Sequence, residues 1–106
     1  MELISREELK AKLDQGDNFK LVMTLSEWAF KAGHIPGSLN VSRLEDAQAL
    51  LRPEDEIVVY CSDVHCVASQ ASYKMLVAKG YQNVRRYAGG LADWSAAGYP
   101  LDTVPD

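Results

Sequence analysis

The sequence predicts an α/β domain, a mainly parallel sheet with helices on both faces. Three observations predict it. Short apolar runs with strand character alternate with stretches that carry helix start and stop signals. The strongest run, Ile57-Val58-Val59-Tyr60, is apolar at every position, as in a strand covered on both sides. The chain has 106 residues, 47% hydrophobic and 25% charged, which suits one compact core. Parallel pairing needs crossover connections, and the helices between the strands supply them.

In chain order, Ser5-Arg6-Glu7-Glu8 reads as a capping box, a Ser oxygen and a Glu carboxylate satisfying free amides at a helix start. Leu9, Ala11 and Leu13 carry that helix to Gly16, which stops it. Residues 19–25 are a near-continuous apolar strand run, and Ser26 caps a short helix reaching Lys31. His34-Ile35-Pro36-Gly37 is a turn, 39–41 a brief strand, 44–51 a helix and Arg52-Pro53-Glu54-Asp55 a turn into the strand at 57–60. After Cys61 and a loop, Ser69 caps a helix with Ala71, Met75 and Ala78 on one face, closed by Gly80. Residues 84–87 form the last strand, and Gly89-Gly90 lead into a short helix through Trp94. With no repeat, low-complexity tract or Gly/Ser linker, the expectation is a single domain over 1–106, with a core from about 4 to 101 and a short polar tail, 102–106.

The formal net charge of −4 and pI near 5.1 disfavour sequence-independent attraction to phosphate backbones or anionic lipid, so neither nucleic acid nor membrane is an expected partner. The opening Met1 to Glu8 carries charges where a signal peptide needs an apolar run, and no stretch approaches a spanning helix. A reducing, cytoplasmic setting is the simplest expectation. Two cysteines are too few for a disulfide scaffold, and a core of this size needs no structural metal.

The chemistry converges on Cys61. In open α/β sheets ligands bind outside the carboxyl ends of the strands, and Cys61 follows the strongest strand. The segment from Cys61 to Ser69 joins that strand to a helix, so loop amides and the helix dipole favour negative charge on the sulfur. Such settings lower a thiol pKa from about 8.5 to roughly 3.5–7.5 and make the thiolate the working nucleophile. The alternative is a small hydrophobe at the edge of the core.

Three motifs then carry a family resemblance over about Ile4 to Leu101. They are Gly33-His34-Ile35-Pro36-Gly37-Ser38-Leu39-Asn40, Val58-Val59-Tyr60-Cys61, and Gly89-Gly90-Leu91-Ala92-Asp93-Trp94 followed by Ala97-Gly98-Tyr99-Pro100-Leu101. In that order they resemble a rhodanese domain: its GHIPGA-x-N turn, the strand ending on its nucleophilic cysteine, and its closing GG-x-x-x-W…AG-x-P pattern. The resemblance implies a five-stranded parallel sheet with helices on both sides. It also implies a sulfurtransferase or sulfur carrier with Cys61 as catalytic residue and no cofactor. The partners implied are a small sulfur donor (persulfide, polysulfide or thiosulfate) and a thiol, cyanide or protein-thiol acceptor. The active-site loop is then Ser62, Asp63, Val64, His65 and Val67, its amides holding the persulfide.

The loop departs from the common C-x-x-G-x-R-S form. It is about two residues longer, lacks the Gly and the Arg, and has no Lys or Arg between Cys61 and Gln70, while Asp63 adds negative charge. A dianion such as thiosulfate therefore loses its bidentate partner, and a neutral or protein-borne persulfide is the expected donor. The missing Arg also argues against the C-x5-R phosphatases that share this fold. Cys66, five residues after Cys61, is close enough for a disulfide or a sulfur handover, making it an auxiliary or resolving thiol or else a loop filler. A C…C-x-A-S subset of rhodanese domains is similar here. Cys61, His65 and Cys66 make three ligands at best, so no metal is expected. His34 is read as structural, and Met23 and Leu25 stand where the family carries an Asp and an Arg, which leaves Glu27 and Arg43 unassigned to the pocket. Trp28, Phe30 and Trp94 are assigned to packing and Arg85-Arg86 to a solvated strand end. The rival function is a noncatalytic binding or thiol-redox-sensing module using Cys61 and Cys66.

Overall fold

The computed structural model describes residues 1–105. Nine elements alternate as expected: α1 (Arg6–Gln15), β1 (Lys20–Met23), α2 (Glu27–Ala32), β2 (Leu39–Asn40), α3 (Leu44–Leu50), β3 (Glu56–Tyr60), α4 (Ala68–Ala78), β4 (Asn83–Arg86) and α5 (Gly90–Ala96). The sheet order is β2-β1-β3-β4 with every pair parallel, and β3 lies opposite Lys20 to Met23 of β1 and Asn83 to Arg86 of β4.

Strand alternation sorts the core into two layers. Leu21, Met23, Val58, Tyr60 and Tyr87 point toward Leu9 and Trp94, whereas Val22, Ile57, Val59 and Val84 point toward Ala47 and Leu76. α1 and α5 thus cover one face and α3 and α4 the other. No described helix is long and apolar enough to cross a membrane.

The sheet has four strands rather than five. The fifth place is a single parallel bridge between Leu3 and Arg86, with the Ile4 amide donating to Arg86 O at 3.0 Å and the Arg86 amide to Glu2 O at 2.9 Å. It stops there because Ser5 already caps α1, accepting the Glu8 amide at 3.0 Å. Only half of the expected capping box forms, since the Glu8 carboxylate reaches Arg85 at 2.7 Å instead.

The turn after α2 is bolted to the central strand. The Tyr60 hydroxyl accepts the Ile35 amide at 3.0 Å and pairs with Ser38 Oγ at 2.8 Å, and Ser38 Oγ also donates to Ile35 O. Burial pushes the Tyr60 phenol up to about 12 against the pull of those two bonds. His34 is structural, its Nδ1 donating to Phe30 O at 2.8 Å while its ring stacks on Phe30 at 3.8 Å. Asn40 donates to the Met23 and Leu25 carbonyls, fixing the carboxyl end of β1.

Two further expectations change. Trp28 is 80% exposed and lies outside the core, because α2 is a six-residue helix that buries no residue fully. The expected tail is tied down as far as described: His34 and Asp102 exchange backbone bonds at 3.0 and 2.8 Å, and the Val104 amide donates to Lys31 O at 3.0 Å. Asp106 lies outside the described residues.

Candidate functional site

Cys61 follows β3 directly and is 1% exposed. Its backbone is gripped by α5, where the Leu91 amide donates to Cys61 O at 3.0 Å and the Ala92 amide to Ser62 O at 2.9 Å. Gly90 makes this approach possible. It sits at φ +62°, and a Cβ there would fall 2.4 Å from Cys61 O. The Gly-Gly motif thus serves the cysteine, by letting a helix start against its carbonyl.

From that anchor the loop folds back on itself. The Asp63 carboxylate accepts the His65 amide at 2.9 Å and the Asp63 carbonyl accepts the Cys66 amide at 3.2 Å, forming a tight turn. The turn brings Cys66 to Cys61, and the two are joined by a disulfide across Cα atoms 6.4 Å apart. Cys66 is half-buried, while Val64 and Val67 are 58% and 73% exposed and His65 is also exposed. Of the expected loop residues, Ser62, Asp63, Val64 and His65 lie between the two cysteines and Val67 follows them. Two of the amides expected to hold a sulfur anion, those of His65 and Cys66, are committed to Asp63 in this oxidised form.

The helix after the loop starts two residues earlier than a Ser69 cap would place it. Val67 takes the N-cap position of α4 without a side-chain bond, and Ser69 lies inside the first turn, 1% exposed. The buried residues of α4 are Ser69 and Leu76, seven apart, whereas Ala71 and Ala78 are exposed. Ser69 faces the site: its Oγ lies 3.3 Å from Cys61 Sγ and accepts from Arg86 Nε at 2.9 Å.

Arg86 is therefore no solvated strand end. In a sheet covered on both faces, consecutive residues of β4 are buried in opposite directions. Arg85 points to the α1 side, pairing with Glu8 at 2.7 Å and Glu56 at 3.1 Å. Arg86 points to the α4 side, 7% exposed, with Val84 of the same layer. Sequence reasoning missed Ser69 and Arg86. The available signal was the alternation Val84-Arg85-Arg86-Tyr87 within a run already read as a covered strand.

A groove of about 410 Å³ opens beside the site at the carboxyl ends of β1 and β2, lined among others by Thr24, Val41, Arg43, Ala68, Ala71 and Met75. Arg43 is thus a groove residue. Among the described residues no three His, Cys, Asp or Glu side chains gather into a metal-holding group.

Comparison with known proteins fits this geometry. The chain is 33% identical over 101 residues to an HTH-type transcriptional regulator of Mycobacterium tuberculosis, covering 93% of this chain and 44% of the regulator. It is 30% identical over 99 residues to a thiosulfate sulfurtransferase of Corynebacterium glutamicum, covering 76% of this chain and 32% of that enzyme. The chain thus spans less than half the length of these two relatives. Among solved structures it is similar to the human single-domain sulfurtransferase TSTD1, with a TM-score of 0.73 and 28% identity over 91% of this chain and 96% of that one. The Rhodanese-like domain family profile matches residues 5–97, and with that match the chain belongs to the rhodanese-like domain family.

Proposed function

We propose that this domain is a sulfurtransferase that carries sulfane sulfur as a persulfide on Cys61. What supports it most is the placement of Cys61 between the end of the central strand and the starts of two helices. In the reduced protein the Cys61 thiolate attacks the outer sulfur of a donor persulfide R–S–SH. The donor S–S bond breaks, R–S⁻ leaves with the electron pair and takes up the proton as R–SH, and Cys61–S–S⁻ remains. An acceptor thiolate then takes the outer sulfur, forming its own persulfide and returning the Cys61 thiolate. Relatives named thiosulfate sulfurtransferase support the reaction class.

Cys66 adds an exit. Its thiolate attacks the inner sulfur of the persulfide once that has taken a proton as Cys61–S–SH, which forms the Cys61–Cys66 disulfide and expels hydrosulfide. Two equivalents of an external thiol reopen the disulfide, which suits a reducing, cytoplasm-like compartment. The C…C-x-A-S loop supports grouping the chain with rhodanese domains that carry a second loop cysteine. The exposed loop side chains Val64, His65 and Val67 include no Lys or Arg, so a neutral or protein-borne persulfide suits the entrance better than thiosulfate.

A second reading is favoured by the disulfide itself and by the transcriptional regulator among the relatives: a thiol-redox module that reports oxidation through Cys61 and Cys66. Intact-mass and peptide mapping separate the two. The reduced protein is exposed to thiosulfate or a small persulfide and then to cyanide or a thiol, with Cys61→Ser and Cys66→Ser in parallel. One sulfur gained on Cys61 and removed by the acceptor, retained in Cys66→Ser and lost in Cys61→Ser, is the expected result. A Cys61–Cys66 disulfide with no sulfur loaded from any donor overturns the carrier reading in favour of the redox module.

A further inference from the structure

Arg86 is 7% exposed, yet no carboxylate lies within ion-pair distance of it among the described residues, and its Nη2 is buried without a hydrogen-bond partner. An uncompensated buried guanidinium is costly, so its retention calls for an anion that this oxidised state lacks. The nearest candidate is one hydroxyl away. Ser69 Oγ accepts from Arg86 Nε at 2.9 Å, leaving its own proton free to point at Cys61 Sγ, 3.3 Å distant. A disulfide sulfur is a weak acceptor and carries no charge, whereas a thiolate or persulfide anion accepts strongly.

We infer that Arg86 is a positioning residue for the sulfur chemistry: acting through the Ser69 hydroxyl, it holds positive charge behind Cys61 and favours the thiolate and persulfide anion over the disulfide. The inference rests on the persulfide reading for its functional meaning. It replaces the cation missing from the loop with one placed beneath it, on β4, where no loop motif would reveal it. The backbone of Arg86 is itself fixed, clamped between Glu2 O and the Ile4 amide.

The direction of disulfide reduction follows. Cys66 is half-buried and Cys61 is almost fully buried, so an incoming small-molecule thiolate attacks the Cys66 sulfur. A mixed disulfide forms there, and Cys61 leaves with the electron pair as the thiolate that Arg86 compensates. A second thiolate attacks the mixed disulfide, releasing the oxidised small thiol, and Cys66 takes a proton from solvent.

Other groups around Cys61 are accounted for. On the loop, the Asp63 carboxylate is bonded to the His65 amide and the His65 side chain is exposed. α4 presents Ser69, and Thr24, the residue after β1, bonds Tyr60 O. α5 presents Leu91 and Ala92, with Asp93 turned to Arg6 and Tyr87.

The test uses the full chain, reduced, with Cys66→Ser so that Cys61 titrates alone, and follows iodoacetamide alkylation against pH with no sulfur donor present. Arg86→Gln and Ser69→Ala are expected to raise the Cys61 thiolate midpoint by about one pH unit, and Arg86→Lys by less, since it keeps the charge but not the planar fork. In the chain with both cysteines, Arg86→Gln is expected to shift the equilibrium with glutathione about tenfold toward the disulfide. Ser69→Ala breaks the relay without altering the buried charge, so it decides the matter if Arg86→Gln does not fold. Alkylation profiles in Ser69→Ala and Arg86→Lys that superimpose on the parent overturn the inference. Because no donor is used, failure of Cys61 to load sulfur in the mass experiment strikes the carrier reading and leaves this result standing.

Discussion

Gly90 shows how narrowly the site is set at a single residue. Its φ of +62° is unfavourable for any side chain, and the space a Cβ would need is held by Cys61 O at 2.4 Å. Gly37, at φ +87° with nothing within 4 Å, has the first constraint without the second. Gly37→Ala should therefore cost about 1 kcal/mol and Gly90→Ala about 3 kcal/mol or more. Denaturant unfolding of the two variants measures the difference, and equal costs would mean that the close approach to Cys61 is not maintained in solution. Residue chemistry explains what the sequence showed of the site and what it hid. Cys61 and Cys66 were legible because a thiol has few structural uses and a strand-end position is a strong signal. Ser69 and Arg86 were hidden because their roles depend on which face of an element they share, and a serine near a helix start or an arginine near a strand end has an ordinary surface explanation.

At the level of the element, the loop and α4 decide what reaches the sulfur. All nine elements were expected, with boundaries shifted by a residue or two, because capping serines and terminal glycines announce helix ends locally. The apolar stripe of α4 is not its most buried face. Ala71, Met75 and Ala78 look like an apolar stripe, but the helix buries Ser69 and Leu76 instead, since a polar group already bonded to Arg86 can be buried where an alanine need not be. The loop preceding α4 turns on Asp63 and presents Val64 and Val67 outward, so its mouth offers no fixed cation to a dianionic donor. Val64→Arg is expected to raise thiosulfate turnover about tenfold, in keeping with one added charge-assisted contact, while leaving turnover of a neutral persulfide close to the parent. Steady-state rates with the two donors provide the check. Unchanged thiosulfate turnover would show that the loop charge does not limit that donor.

Across the whole molecule, charge is divided between the two ends of the sheet. The cysteines occupy the carboxyl end. At the amino end Glu56 joins Lys12 at 2.6 Å and Arg85 at 3.1 Å, and Arg85 in turn meets Glu8, which ties α1 to β3 and β4. Burial alone would raise the Glu56 carboxyl, but Lys12 and Arg85 outweigh it and hold it below its ordinary 4.5. A lowered folded value means stability that is present above the unfolded value and lost as pH falls from about 4.5 through the folded one. Glu56→Gln should thus cost about 1 kcal/mol near neutrality, with the gap to the parent closing as the pH drops below 4.5. Denaturant midpoints against pH test this, and a gap that persists unchanged into acid would assign the cost to packing rather than charge. The sheet-wide layout was legible in the alternation of elements. The reduction of the expected fifth strand to one bridge at Leu3 was not, because it depends on how soon Ser5 starts α1. The two layers meet at Cys61: the α4 side faces its sulfur, and the α5 side holds its carbonyl through the Leu91 amide, with the Ala92 amide on Ser62. Those two amides are natural spectroscopic gauges. Their nitrogen-proton resonances and hydrogen-exchange rates register any shift of the Cys61 backbone, so an isotope-labelled sample would report whether gaining or losing a sulfur atom is felt by the protein frame or stays confined to the side chain.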